Sequence, residues 1–566
     1  MSSKENGCAE KDSSESHPFV LDDIFLKIGQ FGTFRVLQFF LAFTVGIFHT
    51  NMKYSYLFTA GPVVYRCQVP ECDGLESSSY QQPWTEFSIP KAIDGNLKKC
   101  QRYKPFNTTR SDGQYFCNSE NYDNDLEIDC DNGLIFRDEK VTISHDFNIF
   151  CSDEWKLAMI GSITNLAQFL GLFWGGYFSD RYGRVAVLTY GGVSSAIMGI
   201  LRSFSPNYYI FAMLGFLDNF LGGAIFGTTF VLILESLGPK IRVHASNCLP
   251  FSSGIAKVVT AIAAKNINNW RLLEQVFYIP ALGFIALPWL LPESFRLLLS
   301  LGKEEKAIKV LRKAAKNNKR KLSESSIEKL LEFNRQNLAD VNETKNNNNS
   351  PVWDAFKIFP RRILTCNFLW FTHVFLFFGL TINSASLGGN KYYSFMFAGL
   401  VEIPGTLLPS LTINRFGRRY SLSGFLLLTG ISIALMAFVN PSSHDLMIIL
   451  NLCGKLSISA SFQCLNILTT ELFPTTTRNS LVSFCSTIGR IGSIVAPQAP
   501  LLAKYYVSGP SILFASSAFI AGFLVFSLPE TKGSVLPATL HEAEMIGKKE
   551  VNVEPETKDK LLSSKV

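Results

Sequence analysis

The chain is 566 residues long, 47% hydrophobic and only 17% charged, with a net charge of +7. Soluble chains carry charge on about a quarter of their residues, so composition excludes an ordinary soluble globular protein. HExxH, a Walker loop and a nucleophile elbow are all missing from the sequence, which removes the common enzyme signatures as well.

Residues 1–34 are polar and contain no cleavable signal pattern, so the first apolar run must itself direct insertion. Runs of roughly 18–25 residues, the length a helix needs to cross about 30 Å of hydrocarbon, lie near 35–60, 156–178, 185–204, 208–234, 245–264 and 273–292. After a polar gap they resume near 363–382, 392–413, 421–439, 446–468, 480–503 and 511–529. The last, SILFASSAFIAGFLVFSLP, carries no charge. Several contain Gly, Pro and Ser, which membrane helices tolerate better than soluble ones. The expectation is an all-α membrane protein of twelve transmembrane helices in two six-helix halves. Its parts are a cytoplasmic N-terminus (1–34), a first half (35–292) that includes an outer loop (61–155), a cytoplasmic helical loop (293–362), a second half (363–529) and a cytoplasmic tail (530–566).

Six of the 12 Cys fall in the loop between the first two runs: Cys67, Cys72, Cys100, Cys117, Cys130 and Cys151. An even number concentrated in one acidic loop reads as a disulfide-stapled outer domain, with fifteen pairings open. Zinc is the competing reading, but the Cys spacing is irregular and no His accompanies it in a metal-ligand pattern. Asn107 begins a glycosylation sequon in this loop. Asn342 and Asn348 begin sequons on the opposite side, where they are expected to stay bare. Cys8, Cys248, Cys366, Cys453, Cys464 and Cys485 are scattered and expected to be free. Over Phe295 to Asn318, FRLLLSLGKEEKAIKVLRKAAKNN places apolar residues three and four apart, the pattern of amphipathic helices.

Three motifs occur twice. Asp180-Arg181-Tyr182-Gly183-Arg184 reappears as Asn414-Arg415-Phe416-Gly417-Arg418, 234 residues on. ESLGPKIR from Glu235 reappears as ELFPTTTR from Glu471, and LPES at Leu291 as LPET at Leu528, at offsets of 236 and 237. One near-constant offset means a duplicated six-helix unit, whose parallel halves hold cargo between them at the midplane and rock for alternating access. Gly183 and Gly417 permit tight reversals. Asp180, Arg181, Arg184, Glu235, Arg242, Arg415, Arg418, Glu471 and Arg478 form the candidate gating network. If each Glu–Arg pair seven apart is helical, the two residues sit two turns apart, near enough to join the first motif. The competing reading is that these charges only set topology. Residues 61–155 hold 9 Lys/Arg against 17 Asp/Glu, and residues 293–362 hold 16 against 9. With the basic short turns, this puts both termini in the cytosol.

Ionisable groups inside spans are costly and are therefore functional candidates. Glu402, in VEIP of the eighth span, and Arg490, in STIGRIGSIVAP of the eleventh, stand out. One fixed negative and one fixed positive group suit a zwitterion. The alternative is that the two pair with each other, or that Glu402 caps backbone near Pro404. Lys455, Asp218, Lys257, His49 and Lys53 are further intramembrane polar groups. Aromatic faces hold quaternary ammonium groups. Trp370 and Phe377, seven apart in the seventh span, share a helix face, and so do Phe226 and Phe230, four apart in the fourth. Packing is the competing reading in a chain with 48 Phe.

The opening DDIFLKIGQFG, the cysteine-rich loop, FNIFCSDEWKL, GGYFSDRYGR, PESFRLLLSLGKEEKAIKVLRKAAKNN, LFPTTTRNS and LPETKG occur in one order. Together they resemble the organic cation, organic anion and carnitine transporters of the major facilitator superfamily, from Asp22 to about Glu544. The resemblance implies the major facilitator fold and movement of small organic ions across the plasma membrane. It implies that the spans bearing Glu402 and Arg490 line the cavity. Cation-selective members are similar at Glu402 but tend to carry an acid in place of Arg490. Anion-selective members carry a base there, lack the acid at Glu402 and often show a Lys near Thr406. The combination in this chain, with NSASLGGN from Asn383, is most similar to carnitine-type members. Trp370, Phe377, Phe226, Phe230 and Lys455 match family positions, whereas Asp218 and Lys257 match none. The implied cargo is an organic cation or a carnitine-like zwitterion, with an organic anion, a sugar or a non-transporting sensor role as alternatives. No cofactor, metal or nucleic acid is expected, and the coupling ion and oligomeric state are not legible.

Overall fold

The computed structural model describes residues 33–546 apart from 62, 74–78, 92–96, 107–116, 138–139, 237–247, 319, 321–322, 326, 329, 333–334, 336–350, 387–389, 440–442, 475–476, 507, 534–536 and 538–539. Among the described residues, twelve long helices follow in order: α1 (Thr33–Tyr54), α2 (Trp155–Tyr182), α3 (Arg184–Ser203), α4 (Tyr208–Glu235), α5 (Cys248–Asn266), α6 (Trp270–Leu290), α7 (Pro360–Ser386), α8 (Lys391–Phe416), α9 (Arg418–Met436), α10 (His444–Leu472), α11 (Arg478–Ala503) and α12 (Gly509–Ser527). Ten are long and apolar enough to cross a membrane. The other two, α1 and α5, are interrupted by polar groups, among them His49, Asn51 and Lys53 in α1 and Lys257 in α5. They pack against each other within the bundle.

Each set of six helices builds its own core, around Leu188, Ile225, Phe277 and Phe284 in the first half and around Leu376, Leu426, Ile458 and Phe514 in the second. The outside is apolar as well: Tyr190 is 77% exposed, Trp289 75% and Phe438 87%. Such a surface suits lipid and would aggregate in water.

The halves touch at their outer ends and at mid-depth. Phe58 stacks on Tyr392 (5.4 Å between centroids) and meets Phe395 edge-on (5.2 Å). Lys265 donates to the Tyr393 hydroxyl (2.7 Å), and Ser162 of α2 to the Ile494 carbonyl of α11 (2.7 Å). At the α5–α8 crossing, a Cβ on Gly254 would come within 2.9 Å of the Gly399 carbonyl oxygen. Small residues there let the two backbones approach. Among the described residues, the ion pair joining the halves is Lys257–Glu402, and none joins them at the ends that carry the repeated motifs.

The outer loop folds around two antiparallel pairs. β1 (Tyr65–Cys67) pairs with β4 (Leu134–Phe136), and β2 (Gln101–Pro105) with β3 (Tyr122–Asp129). Disulfides Cys67–Cys130, Cys72–Cys117 and Cys100–Cys151 select one of the fifteen pairings. Buried Arg66 grips Asp73 in a fork at 2.9 and 2.8 Å. Burial, with the Glu154 charge beside it, pushes the Tyr65 phenol above its ordinary range. His145 is held below its usual value by burial, partly offset by Asp146. In the segment linking the halves, helices Phe295–Ser300 and Glu304–Asn317 bury Leu298, Leu299, Ala307 and Leu311 together, as the periodicity predicts. Asn107, Arg242, Asn342, Asn348, Cys8, the N-terminal segment before residue 33 and the tail after residue 546 lie outside the described residues.

Candidate functional site

The repeated motifs build two similar structures at the helix ends opposite the cysteine-rich loop. Gly183 (φ +124°) and Gly417 (φ +95°) join α2 to α3 and α8 to α9 in backbone that side chains avoid. Into each turn a carboxylate from the end of the same half is inserted. Glu293 accepts from the Arg184 and Val185 amides (2.8 and 3.1 Å). Glu530 accepts from the Arg418 and Arg419 amides (2.9 and 3.1 Å). A negative charge at a helix N-terminus is favourable because the free amides and the dipole point at it. The arginines then reach sideways, Arg184 to Glu235 (3.0 Å) and to Asp180, and Arg418 to Glu471 (3.1 Å). Thr531 also donates to Glu471 (2.5 Å). Each network staples its own half and does not cross to the other.

Three expected members stand apart. Arg181 donates to the Tyr177 hydroxyl (2.8 Å), and Arg415 lies beside the Phe416 ring. Arg478 donates to the Phe473 carbonyl (3.2 Å) and does not reach Glu471. The expected helical spacing fails because α10 ends at Leu472, before Pro474, so Glu471 and Arg478 sit on different helices. Glu293 and Glu530 were missed as members, although each lies within the repeated LPES/LPET motif.

At mid-depth, Glu402 is 4% exposed on α8, two residues before Pro404. It forms a close ion pair with Lys257 of α5 and a second with Lys455 of α10 at 2.9 Å. Lys455 also donates to the Phe377 carbonyl (2.9 Å) and to Thr381 Oγ1 (2.5 Å), and its Nζ stands 3.3 Å from the Phe377 ring centroid. Lys257 Nζ lies 4.9 Å from the Tyr54 centroid and 5.4 Å from that of Phe377. One carboxylate thus serves two buried ammonium groups, and ring faces take up part of the remaining positive charge. The alternative of a Glu402–Arg490 pair is corrected: the lysines, one of them from the opposite half, reach the carboxylate first.

Arg490, on α11, is half-buried and has no ion pair among the described residues, and its buried Nε has no hydrogen-bond partner. Lys53 Nζ, on α1, donates to Gln168 Oε1 (2.7 Å) and lies 4.4 Å from the Phe378 centroid. Among the described residues, Glu402 is thus shared by Lys257 and Lys455, while Lys53 and Arg490 have no ion pair.

The aromatic candidates divide. Phe226 is 37% exposed, near the His49 ring (6.3 Å). Phe230 packs against Ala42, Ile233 and Leu249. Trp370 is only 4% exposed, donates to Thr469 (3.3 Å) and lies edge-on to Phe462. One face of Phe377 is taken by Lys455. The open ring is Phe226, and Phe378 with Lys53 above it was not anticipated.

A second buried network lies within the first half: Arg202 of α3 contacts Glu274 of α6 (2.5 Å) and Asp218 of α4 (3.3 Å). Arg202 and Glu274 were missed. Both are charges inside predicted spans, the signal that singled out Glu402 and Arg490.

Residues 96–542 match the family described as Sugar (and other) transporter. Solute carrier family 22 member 3 of Mus musculus is 29% identical over 547 residues, covering 94% of this chain and 97% of that protein. Solute carrier family 22 member 2 of Rattus norvegicus is 29% identical over 539 residues, covering 93% and 95%. A Drosophila melanogaster protein named organic cation transporter-like is 29% identical over 545 residues, covering 93% of each chain. Among solved structures, the xylose transporter XylE from E. coli in a partially occluded inward-open conformation matches with a TM-score of 0.59 at 15% identity, covering 89% of this chain and 100% of that one. Its inward-open form matches with a TM-score of 0.55 at 18% identity, covering 72% and 93%. These structures share the fold.

Proposed function

This chain belongs to the Sugar (and other) transporter family and is a multi-pass membrane transporter, and we propose that its cargo is a small organic ion carrying both a cationic group and a carboxylate. The observation that carries this reading is the contrast at mid-depth. Glu402 is already shared by two lysines, whereas the half-buried Arg490 has no ion pair among the described residues and a buried Nε without a partner. A buried cation without a counter-ion is costly, and a cargo carboxylate supplies one. The cationic end of a carnitine-like molecule then rests on ring faces, with Phe226 and Phe378 as the candidates. The relatives named as organic cation transporters support the cationic part.

Alternating access of the two halves moves the cargo across the plasma membrane, with both termini in the cytosol and Asn107 glycosylated outside. The cytoplasmic networks hold the helix ends of each half as rigid units while the halves rock. Uptake of labelled carnitine, tetraethylammonium and an aromatic carboxylate into cells expressing the chain tests the cargo. Carnitine uptake should exceed the other two, and Arg490→Ala should lower it at least about tenfold, the worth of ~1.4 kcal/mol, while sparing tetraethylammonium. Transport of the aromatic carboxylate alone, or an equal loss of all cargos in Arg490→Ala, would overturn the reading.

A further inference from the structure

The buried network of the first half has no part in the scheme above, and its chemistry is unlike that of the second half. Arg202 stands between Glu274, at 2.5 Å, and Asp218, at 3.3 Å, and all three side chains are 4% exposed or less. Two carboxylates on one guanidinium leave an excess negative charge in a medium where uncompensated charge is expensive. The guanidinium sits closer to Glu274, which also accepts from Ser55 (3.2 Å). The short contacts of Asp218 come instead from hydroxyls: Tyr278 at 2.6 Å, and Ser195 closer still. A hydroxyl can donate to a carboxylate or accept from a carboxylic acid. Asp218 can therefore gain or lose a proton without leaving a donor stranded, whereas Glu274 remains the fixed partner of Arg202.

Asp218 is also reachable. With Ser195 and Asn219 it walls a cavity of about 10 Å³ whose other side is His49, Met52 and Lys53 of α1 and Gln168 of α2. That is room for about one water with several polar partners. The groups facing Asp218 are Arg202 and Ser195 from α3, Glu274 and Tyr278 from α6, and His49 and Lys53 from α1. α2 contributes only the neutral Gln168. Lys53 thus lines the same cavity as Asp218.

We propose that Asp218 is a proton-binding site through which the transporter couples proton movement to cargo movement. Ionised Asp218 is a counter-charge for Lys53. When Asp218 takes a proton from the cavity water, the Lys53 charge is released from it and adds to the positive charge met by the cargo carboxylate that Arg490 receives. Proton and carboxylate then occupy the protein together and leave together, which is symport. The direction of coupling rests on the carboxylate reading of the cargo; the site itself does not.

The test uses the purified full chain in proteoliposomes, with labelled carnitine and tetraethylammonium as probes and a gradient of one pH unit, acidic outside. Wild type should accumulate carnitine severalfold, up to the roughly tenfold limit set by one proton per cargo. Asp218→Asn keeps size and mimics the protonated form, so it should exchange carnitine at equal pH within about twofold of wild type but no longer respond to the gradient. Ser195→Ala removes a donor to the carboxylate, so the midpoint of the pH dependence should move to higher pH; it serves where Asp218→Asn fails to fold. An unresponsive wild type, an Asp218→Asn that still responds, an unmoved midpoint in Ser195→Ala, or a sodium gradient replacing the proton gradient would each overturn the site. Proton-driven movement of tetraethylammonium rather than carnitine, lost in Asp218→Asn, would support the site and overturn the cargo reading.

Discussion

The two halves are near copies at the ends that carry the repeated motifs and opposites at mid-depth. Glu293–Arg184–Glu235 and Glu530–Arg418–Glu471 repeat the same contacts to within a few tenths of an ångström. At mid-depth, the first half sets two acids on one base, whereas Glu402 of the second half is shared by its own Lys455 and by Lys257 of the first half. Gln168 and Glu402 are separated by 234 residues, as are Asp180 and Asn414 on the same two helices. The neutral amide that holds Lys53 thus has as its counterpart the acid that holds Lys257 and Lys455. The turn needs one geometry in both halves, because only glycine fits its backbone and only a carboxylate caps the helix behind it. The midplane has no such geometric demand, so each half could diverge toward its own charge.

The sharpest way to break this contrast is to remove the central charge of each half. Arg202→Met leaves two buried carboxylates facing each other, and loss of one partner from a buried ion pair costs about 3–5 kcal/mol. Thermal melting of the detergent-solubilised variant and surface biotinylation should show little folded protein, with all cargos lost together. Wild-type-like melting would mean that the network does not hold the first half together. A smaller effect is expected from the copied ends. Glu293→Gln and Glu530→Gln each remove a charge at a helix N-terminus, worth up to about 2 kcal/mol in partly buried geometry. Uptake per surface molecule should fall in both, by factors within about threefold of each other. A large effect in one and none in the other would show that the halves are not functional copies. Asp180→Ala, which has no acidic counterpart because Asn414 replaces it, should lower uptake per molecule by less than Glu293→Gln does.

The smallest effect concerns the outer domain. His145 Nδ1 accepts from the Thr142 amide (3.2 Å), and its ring lies 4.1 Å from that of Phe136, so the fold requires the neutral ring. Its folded value is depressed by burial, so the unfolded loop binds the proton more readily. The stabilisation is present above the ordinary His value of about 6.5 and is lost as pH falls below it. Limited proteolysis of the loop should be slightly faster at pH 5.5 than at pH 7.5, and His145→Gln should remove the difference. An unchanged pH response in that variant would assign it elsewhere.

The twelve spans, the halves and the disulfide domain were legible because each rests on a one-dimensional signal: run length, repeat offset and an even cluster of Cys. The networks were only partly legible. The paired motifs pointed to Arg184, Glu235, Arg418 and Glu471, but Pro474 broke the spacing that would have brought Arg478 in. Sequence flagged Glu402 and Arg490 as charges in lipid, yet pairing depends on which helices cross. The α5–α8 approach at Gly254 and Gly399 puts Lys257 on Glu402, and no pattern along either helix states that crossing. Arg202 and Glu274, 72 residues apart, meet for the same reason.

The central claim is that Glu402 is an internal counter-ion and Arg490 is free for the cargo. It is tested most directly by the ratio of carnitine to tetraethylammonium uptake, normalised to surface protein, in Glu402→Gln and Arg490→Asp measured side by side. Arg490→Asp removes the attraction for a carboxylate and adds repulsion, so the ratio should fall by more than about tenfold. Glu402→Gln should lower both rates together and leave the ratio near its wild-type value. A ratio unmoved in Arg490→Asp and shifted toward carnitine in Glu402→Gln would contradict the account, because it would make Glu402 the group that meets the cargo.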